Sequence, residues 1–258
     1  VLAAGGAITL DGGTNHDSAS SESIAFETDR APEIGDGSQS GSISLIGDIF
    51  YFGSNPTLQT NGAIVVESSG STFGQALNTG DITTSGTPSA LTVGRSSNIA
   101  NVTIGSGVST SGPISVYGDT ITLDAALDTT AASASGGAVT LDADSGLTGP
   151  GNIALSDASA LTITQTGNSQ LDGVISGTNA TLEKSGSGTL TLSAQNSYSG
   201  STTVSGGVLR LTGNLGGASR DYAGAVSLAA GTELEYAETG ASQTFSGTIS
   251  GSGELSMA

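Results

Sequence analysis

The chain has no cysteine, no tryptophan and very few basic residues. The absence of cysteine excludes disulfides and thiolate metal sites. Lys and Arg together number 5, against 23 Asp and Glu, and the formal net charge is −18. Nucleic acids and anionic membrane surfaces are bound through clustered positive charge, so we expect neither nucleic acid nor a membrane surface as a partner.

Long hydrophobic runs are also missing. No stretch approaches the roughly 18 apolar residues of a membrane-spanning helix, so we expect no membrane insertion of this segment. The opening residues, "VLAAGGAITL", lack the basic start and apolar core of a signal peptide. Because the chain starts with Val and stops inside a strand-like stretch, we expect it to be one segment of a longer protein.

Short alternating apolar pairs are abundant and are separated by Gly, Ser, Asn and Asp. Alternation with a period of two, bounded by turn residues, is typical of half-buried β-strands. No window has the i, i+3, i+4, i+7 spacing of an amphipathic helix, so the sequence predicts an all-β chain. The candidate inward pairs are Ile43/Leu45, Ile64/Val66, Leu91/Val93, Val102/Ile104, Ile114/Val116, Ile121/Leu123, Val139/Leu141, Ile153/Leu155, Leu161/Ile163 and Leu190/Leu192.

Two β architectures are compatible with this pattern. A sandwich or barrel is built from longer antiparallel hairpins, whereas a solenoid stacks short parallel strands in successive coils. Hairpin signals such as Asn-Gly are few, and each strand has only two or three inward positions, which favours the solenoid. The segments "TITLDA" (Thr120–Ala125) and "AVTLDA" (Ala138–Ala143) repeat with an 18-residue offset that we interpret as one coil. At about 20 residues per coil we expect on the order of a dozen coils.

Three stretches interrupt the alternating pattern. Asp11–Gly37 is expected to be an excursion from the coil, and Leu215–Ala225 a smaller loop. Asp48–Pro56 concentrates the aromatic residues Phe50, Tyr51 and Phe52.

Residues 171–211 carry the most specific motif of the chain. The segment contains Gly-x-Ile-Ser-Gly (173–177), Lys-x-Gly-x-Gly-Thr-Leu-x-Leu (184–192), Asn-x-Tyr-x-Gly (196–200) and Thr-x-Val-x-Gly-Gly-x-Leu-x-Leu (202–211). This order resembles the passenger-associated repeat of Gram-negative autotransporters. A second copy starts at about residue 245 and lacks the expected lysine. The repeat region is assigned to 166–258.

The preceding residues, 1–165, resemble filamentous-haemagglutinin-type adhesins, on the strength of "GDITTSG" (Gly80–Gly86) and the stretch Gly112–Ala143. Together the two resemblances imply one continuous right-handed parallel β-helix over 1–258, a β-solenoid with short loop excursions. They also imply a type V secreted protein, located outside the cell or on the surface of a Gram-negative bacterium.

Few residues are candidates for chemistry. His16 is the one histidine and could form a metal site or a base with Asp11 and Asp17, although a single histidine in a polar loop is more often solvated. No cysteine or Gly-x-Ser-x-Gly nucleophile motif is present. We therefore predict no catalytic, cofactor-binding or metal residues, and no enzyme activity.

Three other features have a structural and a functional interpretation. If the 18-residue offset were one coil, Asp124 and Asp142 would stack about 5 Å apart and could bind Ca²⁺ weakly, although solvated acids are the simpler interpretation. The aromatic run Phe50–Phe52 could be an adhesive patch, but packing is commoner. Glycosylation sequons start at Asn101 and Asn179, where a bacterial origin argues against modification.

The sequence thus predicts a structural rod acting in adhesion, cell aggregation or extracellular matrix. Its expected partners are glycans or proteins of a host surface, a neighbouring cell or a matrix. One alternative is a filament subunit that assembles with itself through the solenoid ends. A second alternative, a polysaccharide-acting enzyme, is disfavoured because the five basic residues are dispersed.

Overall fold

The fold was analysed in a computed structural model that describes residues 8–11, 23–26, 33–35, 40–52, 56–237, 240 and 242–258. The described residues contain β-strands and two short 3₁₀ turns, Thr79–Asp81 and Gly217–Ser219, and no α-helix. No helix in these ranges has the length and apolarity of a membrane span. The all-β prediction is confirmed.

The strands of the N-terminal half are, in chain order, β1 (Ile8–Asp11), β2 (Ser23–Phe26), β3 (Glu33–Gly35), β4 (Ile43–Ile46), β5 (Ile49–Phe52), β6 (Thr57–Gln59), β7 (Ala63–Glu67), β8 (Leu77–Asn78), β9 (Thr83–Ser85), β10 (Ala90–Val93), β11 (Val102–Ile104), β12 (Val108–Ser109), β13 (Ile114–Leu123) and β14 (Leu127–Asp128). Those of the C-terminal half are β15 (Val139–Gly149), β16 (Ile153–Ala154), β17 (Ala160–Gln165), β18 (Ser169–Leu171), β19 (Ile175–Ser176), β20 (Thr181–Ser185), β21 (Thr189–Leu192), β22 (Thr202–Val204), β23 (Val208–Leu211), β24 (Asp221–Tyr222), β25 (Val226–Leu228), β26 (Glu233–Tyr236), β27 (Thr244–Phe245), β28 (Ile249–Gly251) and β29 (Glu254–Met257).

Every strand pairing among the described residues is parallel, and the strands stack as a β-solenoid of about nine turns. The first face of the coil runs through β4, β7, β10, β13, β15, β17, β20, β22, β25 and β28. The second face runs through β8, β11, β13, β15, β18, β21, β23, β26 and β29. Both β13 and β15 bend across the corner and contribute to both faces.

Shorter ladders close the third side of the coil. They are β3–β6–β9, β12–β14–β16–β19 and β24–β27. Between the last two ladders the third side is continued by a single parallel bridge, which joins Gln195 to Asn214. A parallel ladder needs only the width of one side of the coil, and this explains why the strands are short.

The core consists of aliphatic columns that follow the strand register. One column joins Val93, Val116, Leu141, Ile163, Lys184, Val204 and Leu228 on successive turns of the first face. All of the inward pairs predicted from the sequence are buried. Each aliphatic side chain contributes about 1.5–3 kcal/mol when it is fully buried, so stability accumulates along the stack. The right-handed winding stays a prediction.

The length of one turn varies along the chain, from 19 residues between Leu190 and Leu209 to 35 residues between Ile8 and Ile43. The expected dozen coils were therefore too many, and about nine turns give an axial length of roughly 40 Å.

The interruption expected at Asp11–Gly37 is also corrected in part, since β2 and β3 pair in register with β5 and β6 of the next turn. The remainder of that stretch lies outside the described residues.

Candidate functional site

The passenger-like motif of the sequence folds into two turns whose interior contains polar side chains. Leu182 and Lys184 are the inward residues of β20, and Thr202 and Val204 are those of β22. In register, Leu182 pairs with Thr202 and Lys184 pairs with Val204. A lysine and a threonine thus occupy positions that are aliphatic in most other turns.

Lys184 is fully buried, with 0% of its surface exposed. Its Nζ donates hydrogen bonds to the carbonyl oxygens of Gly206 (2.7 Å), Gly186 (2.8 Å) and Ser185 (3.4 Å). The ammonium group therefore ties the turn after β20 to the turn after β22 on the next coil. Neutral carbonyls compensate only part of the cost of removing a charge from water.

The burial of Lys184 lowers the pKa of its amine to about 8. No carboxylate forms an ion pair with this amine among the described residues. The amine is enclosed by backbone and faces no open cleft, so its altered pKa does not by itself indicate a catalytic base. A structural function, holding two turns together, fits the contacts better.

A hydroxyl network fills the interior beside the third side of the coil. The Thr202 hydroxyl lies 2.7 Å from the Tyr198 hydroxyl and 2.7 Å from the Tyr222 hydroxyl. Tyr222 also donates to the carbonyl oxygen of Gly200. The two tyrosine rings meet edge to face at 5.6 Å, and Tyr222 meets Phe245 of the following turn in the same way at 6.4 Å.

Burial is the main cause of altered tyrosine acidity in this network. It raises the pKa of Tyr198 well above the ordinary value, and the neighbouring Tyr222 adds to the effect. Burial also raises the pKa of Tyr222, although the hydrogen bonds with Thr202 and Tyr198 oppose the shift. Both phenols therefore stay protonated, and they act as neutral hydrogen-bonding groups in a closed core.

Two buried asparagines link successive turns at the corners. Asn196 accepts a hydrogen bond from the Ile175 amide at 2.8 Å and donates to the Ala194 carbonyl at 3.0 Å. Asn98 accepts from the Phe73 amide at 3.1 Å and donates to the Tyr117 carbonyl at 2.9 Å. Such side chains satisfy backbone groups that leave the strand ladder at a corner.

The lone histidine and Asp17 lie outside the described residues, so the suggested His16 site is not placed. Asp11, its third member, is exposed at the end of β1, where it pairs in register with Ile46. No group of three or more His, Cys, Asp or Glu side chains with metal-binding geometry occurs in the described part of the chain.

The proposed stacking of Asp124 on Asp142 is wrong. Asp142 pairs in register with Tyr117 on one side and with Thr164 on the other. The two similar segments, 18 residues apart, lie on different faces of the coil: "TITLDA" is on the second face and "AVTLDA" is on the first. The pKa of Asp142 is raised by partial burial and by the nearby Asp144.

The aromatic run Phe50–Phe52 is described in part. Phe50 meets the buried Phe73 edge to face at 5.9 Å, which favours the packing interpretation for that ring. The side chains of Tyr51 and Phe52 lie outside the described residues.

Both sequon asparagines are exposed and engaged in hydrogen bonds. Asn101 accepts from the Thr120 amide, and Asn179 donates to Asp157.

Sequence reasoning missed the buried state of Lys184, Tyr198, Thr202 and Tyr222. The sequence contains part of the evidence for this burial, because Lys184 alternates with Leu182 and Thr202 alternates with Val204 at inward positions. A polar residue in such a pattern is normally assigned outward, since its burial is costly without partners.

Comparison with known families gives one match on these turns. Residues 182–211 match the model of the passenger-associated transport repeat. The matched residues include Lys184, Asn196, Tyr198 and Thr202 with their contacts described above. No curated protein and no solved structure matches the chain. The repeat and the β-solenoid together fit a passenger domain of an autotransporter.

Proposed function

We propose that this chain is the β-solenoid shaft of a secreted or surface-attached autotransporter passenger of a Gram-negative bacterium, and that it acts in adhesion, cell aggregation or an extracellular matrix. The match of residues 182–211 to the passenger-associated transport repeat carries this proposal. The uninterrupted parallel ladder from β4 to β28 supports it, because such a stack holds its outer faces at a distance from an anchoring point.

The mechanism is mechanical and multivalent. The core is closed by aliphatic columns and by inward polar groups that bond to one another or to the backbone, as around Lys184 and Thr202. The outer faces repeat on each turn at about 4.8 Å, so weak contacts recur along the rod. When many such contacts form together, the overall binding strength exceeds that of each contact by several orders of magnitude.

Density-dependent attachment tests this function. Beads coated with the folded chain at increasing surface density are applied to immobilised matrix proteins, matrix polysaccharides and bacterial cells. We expect retention to rise more steeply than linearly with density, since avidity depends on simultaneous contacts. Beads carrying the same chain denatured in urea are the control. Retention equal to that of the control on every surface would count against an adhesive function.

Self-assembly and catalysis remain separate hypotheses. Large species that dissociate on dilution during sedimentation would support a filament subunit. New reducing ends or unsaturated sugars, after incubation with neutral and acidic polysaccharides, would support an enzyme.

A further inference from the structure

A surface groove of about 450 Å³ lies on the outer side of the second face and is lined by residues of four successive turns, from β13, β15, β18 and β21. These strands are neighbours in the ladder, so the groove extends about 14 Å along the axis at about 4.8 Å per strand. Its polar lining includes Ser145, Thr148, Asn168, Gln170 and Thr191. The volume falls within the range of small-molecule sites, and the length suits a short stretch of a polymer.

A glycine accounts for the depression. Gly146 is the register partner of Thr120 and occupies an outward position without a side chain. A Cβ at Gly146 would lie 3.2 Å from the backbone carbonyl oxygen of Asn168, so the next turn passes close to it. Beside this gap, Thr148 and Gln170 are register partners, and Gln170 in turn pairs with Thr191. The groove therefore has one polar side chain on each of three successive turns.

The polar side chains of the groove are accessible and keep hydrogen-bonding capacity. Gln170 is exposed, and its Nε2 donates to Asp172 Oδ1 at 2.7 Å, which leaves Oε1 as an acceptor. Asn168 is exposed, and its Oδ1 accepts from the Thr189 amide at 3.1 Å, which leaves Nδ2 as a donor. The hydroxyl of the exposed Thr148 can both donate and accept. Donors and acceptors side by side suit a ligand with many hydroxyl groups.

The charges at the groove restrict the kind of ligand. None of its lining residues is charged. Two carboxylates lie beside it: Asp119 accepts a hydrogen bond from Ser145, and the pKa of Asp172 is lowered by bonds from Ser193 and Gln170. These carboxylates and the net charge of −18 disfavour an anionic ligand. Both carboxylates already accept side-chain hydrogen bonds, which reduces what they offer to a cation, so a neutral ligand fits best.

A peptide fits the groove less well than a carbohydrate. Strands β15, β18 and β21 are each paired on both sides, so no open strand edge is present for the addition of a peptide strand. None of the lining residues is aromatic, and Leu147, the one large apolar residue among them, is buried. Peptide and protein partners are usually anchored by aromatic or apolar side chains in pockets.

We propose that this groove binds a short stretch of a neutral, extended polysaccharide whose hydroxyls bond to Thr148, Asn168 and Gln170. Each unit of such a chain carries hydroxyls that donate and accept, and an extended β-1,4-linked chain can follow a groove that continues from turn to turn. The inference deepens the proposed function and rests on it, since a weak site of this kind is one of the contacts that an adhesive rod would combine.

Titration of the isotope-labelled chain with cellotetraose and with chitotetraose, two neutral β-1,4-linked oligosaccharides, tests the assignment. We expect saturable shifts of the amide resonances of residues 145–148, 168–170 and 191 at about millimolar ligand, as suits a small polar contact. Tetragalacturonate, which is acidic, and a neutral Gly-Ser octapeptide should each bind about tenfold more weakly or worse. Equal binding of either compound, or no saturable binding of both neutral oligosaccharides, would overturn the proposal.

Two variants locate the binding. Thr148→Ala and Gln170→Ala each remove a hydrogen-bonding partner of the ligand, so we expect each to weaken cellotetraose binding by about fivefold or more. Thr162→Ala is the matched control, because Thr162 is an outward threonine of β17 on the first face, outside the groove. Urea unfolding curves that match the wild type establish that the variants are folded. Unchanged binding in Thr148→Ala and Gln170→Ala, or an equal loss in Thr162→Ala, would contradict the assignment.

The titration and the bead experiment can fail separately. Beads that adhere, with no neutral oligosaccharide binding to the chain, would overturn the groove assignment and leave the adhesive function supported. Saturable binding of cellotetraose without retention of beads would support the groove and count against the adhesive function.

Discussion

Ile163 and Lys184 are register partners on successive turns, and both point into the core. A long amine thus continues a column that is aliphatic below it, at Leu141, and above it, at Val204. The stem of Lys184 packs like an aliphatic side chain, while Nζ reaches the carbonyls of Gly186 and Gly206. The same side chain therefore fills the core and joins two turns.

Removing this side chain should destabilise the solenoid. Lys184→Ala leaves a cavity in the column and deprives the Gly186 and Gly206 carbonyls of their side-chain donor. We expect the free energy of unfolding in urea to fall by about 2–4 kcal/mol. Glu183→Ala, on the exposed outer side of the same strand, is the control and should change it by no more than about 0.5 kcal/mol. Equal effects of the two substitutions would contradict a stabilising role for the lysine.

The lowered pKa of Lys184, about 8, also predicts how stability depends on pH. In the unfolded chain the lysine keeps its proton up to its ordinary pKa of 10.5, whereas in the folded chain it loses the proton from about pH 8. Between these values the unfolded state binds more protons, so stability rises with pH.

The check is to compare the wild type with Lys184→Met in urea unfolding from about pH 7.5 to about pH 9.5. We expect the unfolding free energy of the wild type to rise, relative to that of Lys184→Met, by on the order of 1 kcal/mol across that range. Glu183→Ala should follow the wild-type profile. Parallel profiles for the wild type and Lys184→Met would show that the amine titrates at its ordinary pKa in the folded protein.

The aliphatic pattern was sufficient to predict the fold class and the inward positions. Pairs such as Val139/Leu141 and Leu161/Ile163 point inward because side chains alternate across a strand and only one face is buried. The coil length could not be obtained in the same way. Strand β13 covers two faces with a register irregularity between Gly118 and Thr120, so similar segments need not lie above one another.

The burial of polar side chains could not be predicted from the alternating pattern, for a different reason. Whether Lys184 or Thr202 is buried depends on partners such as Gly206 and Tyr222, which come from the next turn. These are tertiary relationships, and residue type alone argues against burial in each case.

The Thr202 hydroxyl should contribute measurably to stability. Thr202→Val keeps the shape of the side chain but removes the group that bonds to both Tyr198 and Tyr222. We expect a loss of about 1–3 kcal/mol in the free energy of unfolding. Thr203→Val is the matched control, because Thr203 is the outward neighbour on the same strand and should change stability by less than about 0.5 kcal/mol. A Thr203→Val effect as large as that of Thr202→Val would argue against the network.

The buried phenols predict a loss of stability at high pH. Tyrosine ionises near 10 in the unfolded chain, whereas the pKa of Tyr198 and that of Tyr222 are raised in the folded state. Above about pH 10 the unfolded state therefore binds fewer protons and is favoured.

Phenolate absorbance during a pH titration measures this effect. Of the 5 tyrosines, we expect Tyr198 and Tyr222 to ionise only together with unfolding, at a pH above that of exposed tyrosines. Tyr198→Phe combined with Tyr222→Phe should remove that late, cooperative step. If the late step in absorbance persists in the double variant, other residues cause it and the prediction for Tyr198 and Tyr222 is wrong.

Two glycines with similar backbone angles differ in what surrounds them, and this predicts different effects of alanine. Gly207 has φ of 64°, and a Cβ there would lie 2.3 Å from the Gly188 carbonyl oxygen and 2.7 Å from Lys184 Nζ. Gly231 has φ of 77° and no atom within 4 Å of the same position. Gly231→Ala should cost only the left-handed backbone, about 1–2 kcal/mol.

Gly207→Ala should add to that backbone cost the clash with the Gly188 carbonyl oxygen and the displacement of Lys184 Nζ from its carbonyl partners, for a total of about 3 kcal/mol or more. Urea unfolding at neutral pH measures both variants. The link to Lys184 is tested by repeating Gly207→Ala in a Lys184→Ala background, where the Nζ contact is gone and the glycine substitution should cost less. An equal cost in both backgrounds would mean that the clash with the Gly188 carbonyl, and not the lysine, accounts for the effect.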